Sequence, residues 1–451
     1  MIDRDEIEHH RRSMNISIAD VERDYIFGWL IRGIFTETWL EKTATLKGGN
    51  ALRKAYFPSG RFSHDLDFST PVALDSEAVP HAFNESCRST EARTGVKFDV
   101  ARNRIIGYQA IDETKSAIKI ALYFEDFAGQ TGHAAIKIRV DVSEFDKLQL
   151  QPVTRELIHQ YSDANECRAS IRVVALEEAL ADKMRCLLQR RHASDLFDLV
   201  YGCFVARDVD IDKGALLRVF LGKTVFGPNP IAAKQLLLAS SWEAIRGFWS
   251  KVVAPGVVKF SFDEALDLFR TGLDGLFAGV SPRVQYSRDY ISEPMRSQIL
   301  HAGSESRLLR IVYNGVSRLA EPYSLVAKRT RTGSVSEYLY IYDRSGGQRS
   351  GPGIKSLKPA GIQAIDVLEN EFRPRFENEL ARGVTSGVGS FSGRIGGYPT
   401  PVRADRAVRA VIRCHYCGRE FMRYKNTSAT LRKHNDGYGN QCPGRRGVRT
   451  R

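Results

Sequence analysis

Asp65 and Asp67 are the residues of this 451-residue chain whose spacing most directly implies chemistry. Side chains two apart on a β-strand project to one face, so the sequence predicts two carboxylates side by side, with Leu66 and Phe68 turned into a core. Neighbouring carboxylates repel unless a cation lies between them, and Mg²⁺, which takes hard oxygen ligands, suits that position. Upstream stand Gly48 and Gly49. Glycines there let a phosphate approach the backbone amides. Asn50 to Tyr56 then reads as a short helix with its N-terminus toward that phosphate.

Other candidates lie further on. Ala135 to Val142 alternates as a strand, with Ile136, Ile138 and Val140 on one face and Lys137, Arg139 and Asp141 on the other. Asp141 is therefore a third candidate carboxylate, or a solvated strand residue. Leu176, Leu180, Lys183 and Leu187 follow helical steps, which puts Lys183 on an apolar stripe where it must snorkel or meet an anion. Asp195 and Asp198 share a helix face; Asp195 reads equally as an acid favoured by the helix dipole. Cys414 and Cys417 are separated by two residues, His434 follows after sixteen, and Cys442 after seven more. Thiolates and an imidazole at that spacing suit a structural, tetrahedral Zn²⁺.

The stretch GGNALRKAY…RFSHDLDFS resembles the AbiEii/AbiGii-type nucleotidyltransferase toxins, of DNA polymerase β type, where the pattern runs close to GGTALRK…RFSEDLDFS. Asn50 stands for the usual Thr and His64 for the usual Glu. ALEEALADKMRCLLQRRHASDLFDL resembles the family's second signature, with Ser194 in place of its Arg. The resemblance covers about residues 1–282. It implies that Asp65, Asp67 and Asp141 hold Mg²⁺, that Gly48, Gly49, Arg61 and Ser63 cradle the phosphates of an NTP, and that Lys183 contacts the nucleotide near a catalytic-region acid, Asp195. It further implies a toxin paired with a cognate antitoxin, transferring a nucleotide to an acceptor such as tRNA or another RNA.

The elements that must position these groups set the organisation. A Ser17 to Asp20 cap opens a long helix that leads toward the glycines. Residues 78–94 read as a helix, and 96–100, 116–124 and 135–142 as strands. Residues 204–282 read as helices. From Ser281 short strands, an Asn314-Gly315 turn and a Pro322-containing edge predict a small β-barrel. That segment resembles WYL-type Sm-like domains, which bind nucleic acid or nucleotide ligands, although Glu337-Tyr338-Leu339 stands where WYL would be. Residues 383–404 are Gly/Ser-rich and read as a flexible linker. The fold expected is α+β: a polymerase β-like nucleotidyltransferase over 1–282, a barrel over 283–382, the linker, and a CCHC-like zinc finger over 405–451.

Composition bounds the rest. Seven cysteines exclude a fully paired disulfide framework, and no apolar run is long enough for a membrane span, so a cytoplasmic protein is expected. The net charge is +13, and residues 401–451 hold 13 Lys and Arg against 3 Asp and Glu. That local excess favours a polyanion such as RNA. Two other readings accommodate the same motifs: a nucleic-acid-binding regulator on an inactive transferase fold, and a sensor that binds GTP without transferring it.

Overall fold

The computed structural model describes residues 2–381, apart from 111–115, 128–135, 147, 208, 240–241, 259, 281–289, 330–334, 348–349 and 376–377. Beyond 381 it describes residues 410–414, 420–423, 429–431, 434 and 446–449. The chain divides into two compact units, residues 1–175 with 255–257 and 399–451, and residues 176–254 with 258–398.

The first unit contains α1 (Arg4–Met14), α2 (Ile18–Glu37), β1 (Thr45–Lys47), α3 (Gly48–Ala55), β2 (Asp65–Thr70), α4 (Ala78–Thr94), β3 (Arg104–Ala110), β4 (Ser116–Phe124), β5 (Ile136–Glu144), β6 (Val153–Glu156) and β7 (Ser170–Val173). The strands form one mixed sheet in the order β3-β4-β5-β2-β1-β7-β6. Ser17 caps α2 by accepting from Asp20 N, as its sequence indicates. On β2 the alternation holds: Leu66 and Phe68 are buried, Asp65 and Asp67 half-buried. Phe68 packs on Phe35 of α2 and Phe83 of α4, so these helices cover the apolar face of the sheet's centre. The carboxylates occupy the opposite face. Residues 96–100 are not a strand. They contribute an isolated bridge between Phe98 and Phe124, because Asp99 turns the chain by accepting from Arg102 N.

The second unit opens with helices α5 (Leu176–Gln189), α6 (Ala193–Val200), α7 (Lys213–Gly222), α8 (Pro230–Ala239), α9 (Glu243–Trp249), α10 (Phe262–Leu276) and α11 (Glu293–Ser304). Strands β8 (Arg307–Tyr313), β9 (Val316–Arg329), β10 (Val335–Asp343), β11 (Gly353–Leu357) and β12 (Ile362–Glu371) follow. Asn314 and Gly315 take positive φ (49° and 75°), the two-residue turn that a right-twisted hairpin favours. The strands make an open antiparallel sheet, β11-β10-β9-β8-β12, and no closed barrel forms among the described residues. Pro322 does not mark an edge. It lies in the middle strand, β9, where the register against β10 shifts, and that irregularity accommodates the missing N–H. The fully buried Arg296 ties this sheet to the helices: its guanidinium donates to Leu188 O (2.7 Å) and to Glu337 (2.5 Å). Glu337, where the WYL tripeptide would begin, is thus an internal ion-pair partner.

In the C-terminal region β13 (Ala410–Cys414), β14 (Glu420–Arg423) and β15 (Gly447–Arg449) form a three-stranded sheet around Ile412, Cys414 and Leu431. No helix among the described residues is long and apolar enough to cross a membrane.

Candidate active site

Strand register gathers the carboxylates. In the parallel pairing of β2 with β5, Asp67 stands opposite Asp141 and Asp65 opposite Arg139. Across β4, β5, β2 and β1 one row reads Lys119, Asp141, Asp67, Lys47. Cross-strand neighbours share a face, so two acids sit between two lysines. The next row, across β3, β4, β5 and β2, reads Arg104, Ala121, Arg139, Asp65. Among the described residues no three His, Cys, Asp or Glu side chains form a ready-made metal cage.

The glycine pair closes on this row. α3 begins at Gly48, two residues earlier than the sequence indicates, so the glycines themselves form its first turn. Its N-cap, Lys47, makes no side-chain cap bond. Gly48 has φ +73°, and a Cβ there would collide with the Asp67 carboxylate. A Cβ on Gly49 would lie 2.6 Å from Ser63 Oγ and 2.8 Å from the Arg61 guanidinium. Gly48, Gly49, Arg61, Ser63 and Asp67 are therefore brought together; only glycine fits at 48, and a side chain at 49 would displace Ser63 and Arg61.

A buried anchor holds the cradle. Arg53 on α3 donates to the carbonyls of Pro58 (3.0 Å) and Gly60 (2.6 Å), fixing the loop that carries Arg61 and Ser63. Its guanidinium also stacks over Phe62, 3.7 Å from the ring centroid. Arg53 and Lys54 both bind the fully buried Asp24, at 2.7 and 2.9 Å, and Tyr161 donates to the same carboxylate. Burial pushes the Asp24 carboxyl up, but Arg53 and Lys54 outweigh it and hold the group well below the usual carboxylate range. Asn50 donates to Asp65 O (2.7 Å), tying α3 to the start of β2. His64 pairs with Asp20 at the start of α2 (3.1 Å).

Lys183 and Asp195 belong to the second unit and form a constellation of their own. The Lys183 ammonium lies 3.2 Å from Asp195 and 2.8 Å from Asp198, so the lysine on the apolar stripe meets anions of its own chain. Arg190 grips Asp195 with two bonds, at 2.8 and 3.1 Å. Burial would raise the Asp195 carboxyl, yet Arg190, Lys183 and His192 hold it far below its ordinary value. A carboxylate held so firmly ionised is a poor proton acceptor.

Residues 29–267 match the family described as nucleotidyl transferase AbiEii toxin, type IV TA system. The chain belongs to this family. It is a nucleotidyltransferase of the toxin–antitoxin type. MenT4, a nucleotidyltransferase toxin of Mycobacterium tuberculosis H37Rv, is similar at 20% identity, over 62% of this chain and 91% of that one, with a TM-score of 0.43. JHP933 of Helicobacter pylori is similar at 12% identity, over 58% and 93% of the two chains, with a TM-score of 0.34. No curated protein matches the chain.

For this AbiEii family member the sequence reading missed two things. Lys47 binds Asp146 (2.9 Å) and Ser143 (3.1 Å) beside the acids; its place immediately before the glycines was the available signal. Asp24 was one charge among many on a helix, and nothing local marked it as the anchor. Of the four expected zinc ligands, Cys414 and His434 are buried, while Cys417 and Cys442 lie outside the described residues.

Proposed function

We propose that the chain transfers a nucleotide from an NTP to an RNA end, such as that of a tRNA, in a Mg²⁺-dependent reaction restrained by a cognate antitoxin. The closure of Gly48 and Gly49 onto Asp67, Ser63 and Arg61 carries the reading: it sets the glycines that open α3 against a carboxylate, a hydroxyl and a guanidinium. Asp65, Asp67 and Asp141 would hold the metal. Mg²⁺ takes one or two carboxylates together with waters and substrate phosphates, so half-buried acids without a closed cage fit it. Once bound, it would supply activation of the acceptor hydroxyl and neutralisation of the pyrophosphate.

The amides of Gly48 and Gly49, with Ser63 and Arg61, hold the phosphates at the open end of α3. α5, which carries Lys183, follows β7 along the chain, and membership of the AbiEii family supports assigning Lys183 to the nucleotide. Lys183 neutralises the triphosphate, and Asp195 keeps its ammonium charged and directed.

The acceptor is read as RNA from the face beside Asp65. Lys137 shares its face with Arg139, and its ammonium is pushed down by burial and by Arg139, Arg104 and Arg102. Arg102 lies over Tyr123, 4.1 Å from the ring centroid. A cluster of like charges suits a phosphate backbone, and the buried Tyr123 ring supports Arg102 from beneath. The C-terminal residues Cys414, Cys417, His434 and Cys442 are the proposed zinc ligands, their donor set being that of a structural zinc site. The +10 segment around them would serve as a capture arm for RNA.

Incubating the purified chain with each labelled NTP and total RNA tests the function. The expected result is one preferred nucleotide transferred to a discrete RNA, and abolished by EDTA. Absence of label on RNA with every NTP in Mg²⁺ contradicts it.

A further inference from the structure

A cavity of about 300 Å³ lies inside the second unit. Its walls come from the α5–α6 elbow (Arg190, Arg191, His192), from α9 (Ile245, Phe248) and from α11 (Ser297, Leu300, His301). The volume lies at the lower end of small-molecule sites. Its lining is mostly apolar, and the charged or titratable groups along it are Arg190, Arg191, His192 and His301, with no carboxylate among them.

The elbow is built under tension. Arg191 adopts φ 51°, a conformation a bulky side chain keeps only when its surroundings impose it. Glu293 and Ser297 of α11 impose it, binding the Arg191 guanidinium at 2.8 to 3.2 Å. Arg191 is 5% exposed, and its buried Nε has no hydrogen-bond partner. One residue earlier, Arg190 holds Asp195, which holds Lys183. The cavity wall is thus two ion-pair contacts from the lysine assigned above to the nucleotide.

We propose that this cavity is a regulatory site for a small organic anion with a flat apolar body, whose carboxylate engages the Arg190 to His192 elbow and His301. The apolar body lies against Phe248, Ile245 and Leu300. An anion drawn to Arg190 competes with Asp195 for the guanidinium, which leaves Asp195 to Lys183, holds the ammonium more tightly away from the triphosphate and slows transfer. The coupling rests on the role proposed for Lys183; the binding site does not.

The test uses the full chain, with 1-naphthoate as probe and neutral 1-naphthalenemethanol as control, followed by ligand-observed NMR and calorimetry. Naphthoate is expected to bind and the alcohol to bind at least about tenfold more weakly, the margin of a charge-assisted hydrogen bond. His301→Glu, at an exposed position, should lose the same factor by repulsion while retaining its Tm. Leu300→Trp should abolish binding by filling the cavity. Equal binding of acid and alcohol, or of wild type and His301→Glu, overturns the site. Saturating naphthoate should slow nucleotidyl transfer by the wild type and leave His301→Glu unaffected. Binding without any change in transfer overturns the regulation. A chain that transfers nothing with or without the probe contradicts the proposed function, and the binding results still decide the site.

Discussion

Asp24 on α2 and Asp67 on β2 are carboxylates of the same unit, each set against α3. Asp24 is fully enclosed and receives three donors, from Arg53, Lys54 and Tyr161. Asp67 is half-buried, faces a glycine whose side chain would strike it, and has a second carboxylate as its register partner. The contrast separates two uses of charge. A buried acid saturated by cations stores folding energy and has nothing left to offer a substrate. An acid placed beside another acid, against a glycine that leaves room for its carboxylate, is proposed to serve a cation that arrives with the substrate. Asp195 follows the pattern of Asp24, which is why it reads as a positioning residue.

The sharpest way to break this comparison is to neutralise the anchor. Asp24→Asn leaves Arg53 and Lys54 buried without their counter-ion and should cost about 3–5 kcal/mol. Urea denaturation measures it, and a loss below about 1 kcal/mol would show that the anchor is not one. Gly48→Ala attacks the cradle: strain at φ +73° should cost about 1–3 kcal/mol. Displacing Asp67 should lower transfer about 10²-fold in steady-state kinetics. Arg104→Ala with Lys137→Ala touches neither acid. It should raise KM for RNA, leave kcat near wild type, and reduce the log–log salt slope by about 1 for each lost phosphate contact.

The smallest expected effect comes from Glu22. Burial raises its carboxyl from 4.5 to about 7, against the opposing bond from Phe127 N. A raised folded-state value means a contribution that is complete below about 4.5 and is lost as pH climbs through about 7. Glu22→Gln should therefore stabilise the chain more at pH 8 than at pH 5. The difference is about 1 kcal/mol once solvent screening is allowed for. Equal shifts at the two pH values would contradict it.

Much of this was legible because it is local. Period-two alternation marked β2, β4 and β5, and the Ser17 cap and the 78–94 helix come from near-neighbour chemistry. The glycine pair and DLD were legible as a unit because both lie in one β1–α3–β2 turn of chain. What was not legible depends on distant partners. Asp24 meets Arg53 twenty-nine residues on and Tyr161 more than a hundred on. Residues 96–100 have strand composition, but the turn at Asp99 limits their pairing to the bridge between Phe98 and Phe124. Pro322 reads as an edge residue until the bulge beside it in β9 is seen. Sheet closure is likewise a property of strand order, which the alternation of single strands does not encode.

The proposed division of labour gives the Asp67 face to chemistry and Asp24 to folding. The direct test is nucleotidyl transfer by Asp67→Asn, with its Tm measured on the same preparation. The expected result is a Tm within about 2–4 °C of wild type and transfer reduced about 10³-fold. A folded Asp67→Asn that transfers label at the wild-type rate would contradict it.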